Sequence, residues 1–271
     1  MARPAPVRRP PHAPFRAGAP GFTPALRPIA PEAWLTPDTE AHVLDWKRAL
    51  LTTPERVFRQ APGGKAAAFD AARAVETALG APVTGDLVRA SCRVSDDLVV
   101  MRRGAEGWVC DALTLTAPTF FSIDAAFGRD LTALHGAVPQ GARLADRIQR
   151  VFDNLRPGLV LKRFNWTLQP GDARHTPDAE PLRALARSAA LQDAPDLLHL
   201  RVERQTITRL PETGAVLFTI RVCLDPVAAL SAGDRPALAE AWRTLGPQGR
   251  AYKGWEALEP LVSAVFARWG V

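Results

Sequence analysis

The chain has 271 residues, 47% of them hydrophobic and 23% charged, which is enough apolar material for a sizeable core and argues against a disordered or fibrous class. Its formal charge of +6 would suggest a nucleic-acid partner, but residues 1–30 hold five arginines (Arg3, Arg8, Arg9, Arg16, Arg27) and no acid, so the body is near neutral and carries no basic stripe interleaved with aromatics. No apolar run reaches the roughly 18 to 20 residues of a membrane helix; prolines break any secretory leader; and Cys92, Cys110 and Cys223 are too scattered for a zinc knuckle, covalent haem attachment or a disulfide framework, so a reducing, cytoplasmic setting is expected.

Nine of the 25 prolines fall at or before Pro31, where fixed φ and missing N–H groups oppose helix and strand ladders. Residues 1–31 are therefore expected as a Pro/Arg-rich extended arm, and 32–271 as a single domain. A start at Pro37-Asp38 leads into AHVLDWKRALLTTPERVF, with Val43, Leu44, Ala49, Leu50 and Leu51 at helical spacing. A second helix is expected over 66–79. Between Cys92 and Thr116 the apolar period drops to two, and residues 104–107 form a glycine-assisted hairpin turn. Helices over 124–134 and 144–155, a strand over 159–169 and a helix over 181–192 follow. Two long strands are expected at 198–210 and 215–224, and then a tail, from Arg235, that is helical in two pieces. Five antiparallel strands with flanking helices make an α+β fold.

Pro211-Glu212-Thr213-Gly214 joins the long strands, with proline first and glycine last in the turn. Without a bulge, Leu210 faces Ala215; Ile207 then faces Phe218, Gln205 faces Ile220, Glu203 faces Val222 and Arg201 faces Leu224. Arg201, Glu203 and Gln205 share a face with apolar neighbours, where an unpaired charge would cost several kcal/mol. A ligand pocket would supply partners. So would a structural Arg–Glu pair, and a one-residue bulge would instead turn the trio to solvent and bring Arg204 and Arg221 inward.

Histidine is scarce, with five in the chain. His12 and His175 stand in Pro- and Gly-rich stretches and His42 in an amphipathic helix, where surface roles prevail. His199 immediately precedes a strand. His135 follows a helix and enters Gly136-Ala137-Val138-Pro139, a turn able to hold its ring as an axial ligand requires; a satisfied structural histidine fits the same pattern. GxSxG, HExxH, Walker A and GxGxxG segments are absent. Asp96 and Asp97, adjacent on a strand, would point to opposite faces rather than form a joint site.

The run LRVERQTITRLPETGAVLFTIRVCL at 200–224 resembles the signature of the haem-dependent oxidative N-demethylase family. Shorter segments stand in the same order: VSDDLVVM at 94–101, LHGAVP at 134–139, KRFNW at 162–166 and YKG at 252–254. The resemblance implies a PAS-like fold, a five-stranded antiparallel sheet enclosing non-covalent haem b. It also implies oxidation of a small secondary amine such as dimethylamine to formaldehyde and the shorter amine, using oxygen and electrons from partner subunits that carry flavin, an iron–sulfur cluster and folate. His135, in the histidine box, is then the axial iron ligand. Glu203, with Arg204 and Gln205, is expected at the substrate, and Arg163, Arg201, Arg221, Asn165 and Tyr252 at the haem. The box departs from the family in Gly136-Ala137-Val138-Pro139, and Phe120, Phe121 and Phe127 replace its tryptophan-and-lysine pattern. The competing readings are a non-catalytic PAS-like haem sensor or scaffold, and a basic protein that docks nucleic acid through its arm.

Overall fold

A computed structural model describes residues 9–37 and 41–271; residues 1–8 of the arm and the expected helix start at Asp38 lie outside the described residues. Seven strands are found among them: β1 (Arg27–Ile29), β2 (Phe58–Gln60), β3 (Asp97–Arg103), β4 (Trp108–Thr114), β5 (Val160–Pro170), β6 (Leu198–Arg209) and β7 (Val216–Pro226). They build one antiparallel sheet in the order β1-β5-β6-β7-β3-β4-β2. The five expected strands are all present. The sheet has seven strands rather than five because three-residue strands extend both edges, β1 on β5 and β2 on β4. Neither Arg-Pro-Ile nor Phe-Arg-Gln is long enough to show an alternation.

Eleven α-helices occur among the described residues. α1 (Ala41–Leu50), α2 (Lys65–Ala78) and α3 (Leu87–Ser91) precede β3, and α4 (Ile123–Ala126), α5 (Leu131–His135) and α6 (Gly141–Asn154) lie between β4 and β5. α7 (Glu180–Ser188) and α8 (Ala194–Leu197) follow β5; α9 (Arg235–Thr244), α10 (Pro247–Lys253) and α11 (Glu259–Trp269) follow β7. The helix expected over 124–134 is split, since Gly128 turns the chain at φ +73° and Asp130 restarts it by accepting from the Ala133 N–H at 2.7 Å. The tail holds three helices rather than two, because Gly254, in the left-handed region at φ +65°, ends α10 after Lys253. α3, capped by Asp86 through the Val88 and Arg89 amides, was not foreseen.

The β6–β7 register is the one dictated by an unbulged turn: Arg201 faces Leu224, Glu203 Val222, Gln205 Ile220 and Ile207 Phe218. Asp70 of α2 fixes that turn, its Oδ2 accepting from the Glu212 and Thr213 amides and the Thr213 hydroxyl. Strict alternation then sends opposite sets of side chains to the two faces.

On one face, Leu98, Val100 and Leu217 pack on α2 and α3, while Trp166, Leu200, Val202 and Cys223 meet α9 and α11, where Trp242 stacks on Trp255 at 4.0 Å. On the other, Val99, Met101, Ile207 and Ile220 face Leu131, Ala145 and Phe152 of α5 and α6. The described part of the N-terminal segment lies against the sheet. Phe15 is buried beside Trp166, the His12 ring lies tilted at 46° against Phe164 with centroids 4.8 Å apart, and Arg16 pairs with Asp234 at 2.6 Å. No described helix is long and apolar enough to cross a membrane.

Candidate functional site

A cavity of about 680 Å³ opens between the second sheet face and α4–α6, within the range of pockets that enclose a cofactor or drug-sized ligand. Val99, Met101, Leu113, Ile207, Phe218 and Ile220 supply an apolar floor from the sheet. Polar groups gather on β5, β6 and the end of α10. Of the nine residues expected at the site, seven line this cavity: His135, Arg163, Asn165, Arg201, Glu203, Gln205 and Tyr252.

Glu203 is the centre of the polar cluster. Its Oε2 accepts from Gln205 Nε2 at 2.7 Å and from Asn165 Nδ2 at 3.1 Å, which leaves Oε1 for a ligand. Asn165 is held in turn, because Lys253 Nζ donates to its Oδ1 and to the Trp166 carbonyl, both at 3.1 Å. That ammonium fixes the amide orientation: Oδ1 must face the lysine, so Nδ2 faces Glu203. Burial lowers the Lys253 pKa to about 8, against the pull of Glu203. Burial likewise raises Tyr252, with the Glu203 charge adding to the shift.

Arg163 lies beside this cluster. Its Nε is buried without an acceptor, and burial lowers its pKa although Glu203 opposes the shift. A buried guanidinium nitrogen with no partner is costly unless something else enters to accept from it.

His135 is the last residue of α5. Its Nδ1 lies 2.7 Å from the Leu131 carbonyl oxygen, which can only accept, so Nδ1 carries the proton and Nε2 the lone pair. Burial lowers its pKa, against the hydrogen bond to the Leu131 carbonyl and with a smaller push from the Arg163 charge. The following turn is tight. Gln140 adopts φ +59°, and a Cβ on Gly141 would stand 2.0 Å from the His135 carbonyl oxygen, so only glycine lets α6 start against the histidine backbone.

Arg201 also lines the cavity but spends its donors inside the protein. It is fully buried, with Nε on Thr119 Oγ1, Nη1 on Gln169 Oε1, and Nη2 on the Ala117, Pro118 and Arg174 carbonyls, at 2.8 to 3.2 Å. The guanidinium, lowered by burial to about 10, staples two loops over the end of the sheet.

Arg204 and Arg221 do not reach the cavity. The unbroken register places them opposite each other on the far face. There Arg204 donates to the Ala33 and Trp34 carbonyls, and Arg221 pairs with Asp96 at 2.6 Å. Asp96 and Asp97 do point to opposite faces: Asp97 accepts from the Thr116 and Ala117 amides and the Thr116 hydroxyl. Lys253 and Gly141 belong to the site and were not singled out in the sequence. The YKG segment was the available signal for the first; nothing marked the second.

The residues present fit a haem. The cavity offers apolar walls for the macrocycle, a histidine whose Nε2 keeps its lone pair for the iron, and a guanidinium whose buried Nε has no acceptor for a propionate. Residues 85–263 match the family model described as haem-dependent oxidative N-demethylase, alpha subunit-like.

Proposed function

The chain belongs to the haem-dependent oxidative N-demethylase alpha-subunit-like family, and from that premise we propose that it is the haem-binding subunit of an enzyme that removes an N-methyl group from a small secondary amine. The observation that carries this reading is the convergence of His135 Nε2, the Arg163 guanidinium and the Glu203 carboxylate on one cavity. In this reading residues 32–271, together with β1 and the cavity-lining stretch before it, form one PAS-like domain that would hold haem b, with His135 as the iron ligand and Arg163 as a partner for a propionate. When bound, haem would supply the chemistry of dioxygen activation, which with two electrons and two protons turns the N-methyl group into a carbinolamine and water; the carbinolamine breaks down to formaldehyde and the shorter amine.

The chain's own residues position the substrate. An amine cation donates to Glu203 Oε1, while Gln205 and Asn165 hold Oε2 and so fix the carboxylate plane. Charge-assisted bonds of this kind contribute about 1.5 to 3 kcal/mol each. Lys253 keeps Asn165 in the orientation this requires, and Tyr252 closes the polar end. Electrons come from partner subunits carrying flavin and an iron–sulfur cluster, and a folate-bearing partner takes the formaldehyde. The setting is cytoplasmic.

The test is reconstitution. Haem added to the purified chain gives a stoichiometric Soret band, and His135→Ala loses it or shifts it to that of unligated haem. Glu203→Gln keeps the band but abolishes dimethylamine-dependent formaldehyde release with a reductant. A Soret band unchanged in His135→Ala, or full turnover in Glu203→Gln, overturns the assignment.

A further inference from the structure

The wall of the cavity is not built from the family-matched region alone. Gly21, Phe22, Pro24 and Leu26 line it too, and all four lie outside residues 85–263. This stretch is strung between two anchors. Before it, Phe15 is buried beside Trp166 and Arg16 pairs with Asp234; after it, β1 adds to the edge of β5. The chain thus wraps around the sheet edge and brings Leu26 and one aromatic side chain to the cavity wall, the aromatic one also packing on the core beneath α9 and α11.

That side chain is Phe22. Its ring meets Tyr252 edge-on, with centroids 5.6 Å apart and planes at 81°. Its far edge lies against α10, where a Cβ on Gly249 would come within 3.0 Å of Phe22 Cε2. Tyr252 is itself 43% exposed while lining the cavity, so the pair stands where the polar end meets solvent. Tyr252 precedes Lys253, whose Nζ donates to Asn165 Oδ1 while Asn165 Nδ2 donates to Glu203 Oε2, so the aromatic pair stands on the same polar wall of the cavity as the carboxylate.

We propose that Phe22 is a specificity-determining residue that limits the size of the amine reaching Glu203. This rests on the reading that a secondary amine is held there. Dimethylamine presents only methyl groups, and a phenylalanine ring on the wall that carries the binding carboxylate narrows the way in for larger substituents.

The experiment uses haem-loaded full-length protein and measures binding of dimethylamine and of N-methylbenzylamine, by calorimetry and by change in the haem spectrum. Phe22→Ala should shift the ratio of the two Kd values toward N-methylbenzylamine by about tenfold or more, since each methylene in such a pocket is worth roughly 10- to 200-fold. Phe22→Leu should shift it less, and Phe22→Trp in the opposite direction. Phe22→Leu keeps an apolar side chain of similar reach and should still fold cooperatively and bind haem, so it decides the matter if the alanine variant folds poorly. A purely structural role would weaken both amines together and leave the ratio alone. A ratio within about twofold of wild type in all three variants, with dimethylamine still bound, overturns the role of Phe22 only. Wild-type protein that binds haem but neither amine overturns the amine reading and this inference with it.

Discussion

The two faces of the β5–β6–β7 ribbon both bury arginine, and they treat it differently. On the far face Arg204 and Arg221 end on acceptors of the chain itself, the carbonyls of Ala33, Trp34 and Pro37 and the carboxylate of Asp96. On the cavity face Arg201 is consumed in the same way, yet Arg163 on the neighbouring strand leaves Nε unanswered beside Glu203. Residue type and burial do not separate the two cases. What separates them is whether each donor is satisfied: an answered guanidinium holds loops in place, and an unanswered one facing a cavity points to a ligand.

The contrast can be broken from either side. The largest effect is expected on the far face: Asp96→Ala leaves Arg221 buried without its counter-charge and should cost about 3–5 kcal/mol in urea unfolding. A loss below about 1 kcal/mol would show that the pair is not what holds that face. Gly141→Ala comes next. Its new Cβ must push back the His135 carbonyl, an overpacking cost of about 1–3 kcal/mol, and haem spectra should report a lost or altered histidine ligand. Arg163→Met sharpens the comparison most directly. Fold stability should hold or rise, since a buried unpaired group is removed, while haem affinity falls by about 1.5–3 kcal/mol, measured by competitive haem transfer.

The smallest effect is a pH dependence. The Lys253 pKa is lowered from its ordinary 10.5 to about 8 in the folded chain, so between these values the unfolded chain holds a proton that the folded chain has shed. Stability should therefore rise with pH across that window, relative to Lys253→Met, and show no such difference below it. Denaturant midpoints taken across the window measure this. A flat difference between the two proteins would mean that Lys253 is solvated rather than enclosed.

The hairpin was legible because two rules fixed it together. A four-residue turn sets the register and period-two alternation sets the faces, so the sequence alone places Glu203 and Gln205 beside an apolar floor. Arg204 and Arg221, expected at the site from the resemblance and turned inward only by a bulge, fall on the far face because the turn anchored on Asp70 contains none. Lys253 was hidden because its contacts, Asn165 and Trp166, lie 88 and 87 positions away in the chain, and no local pattern encodes such a pairing. Gly141 was hidden for a different reason, since the need for glycine arises only from how closely α6 returns to His135. Short elements such as α3, β1 and β2 carry too few residues for any periodicity to register.

The two edges of the sheet bear on how the molecule meets others. Each ends in a strand of three residues, and the outer one on β5 contains Pro28, which has no N–H to offer. A strand from a second chain would find a ladder too short to extend on either side. The sheet is thereby guarded against edge-to-edge aggregation, and association with other subunits is directed to helical and loop surfaces instead of backbone pairing.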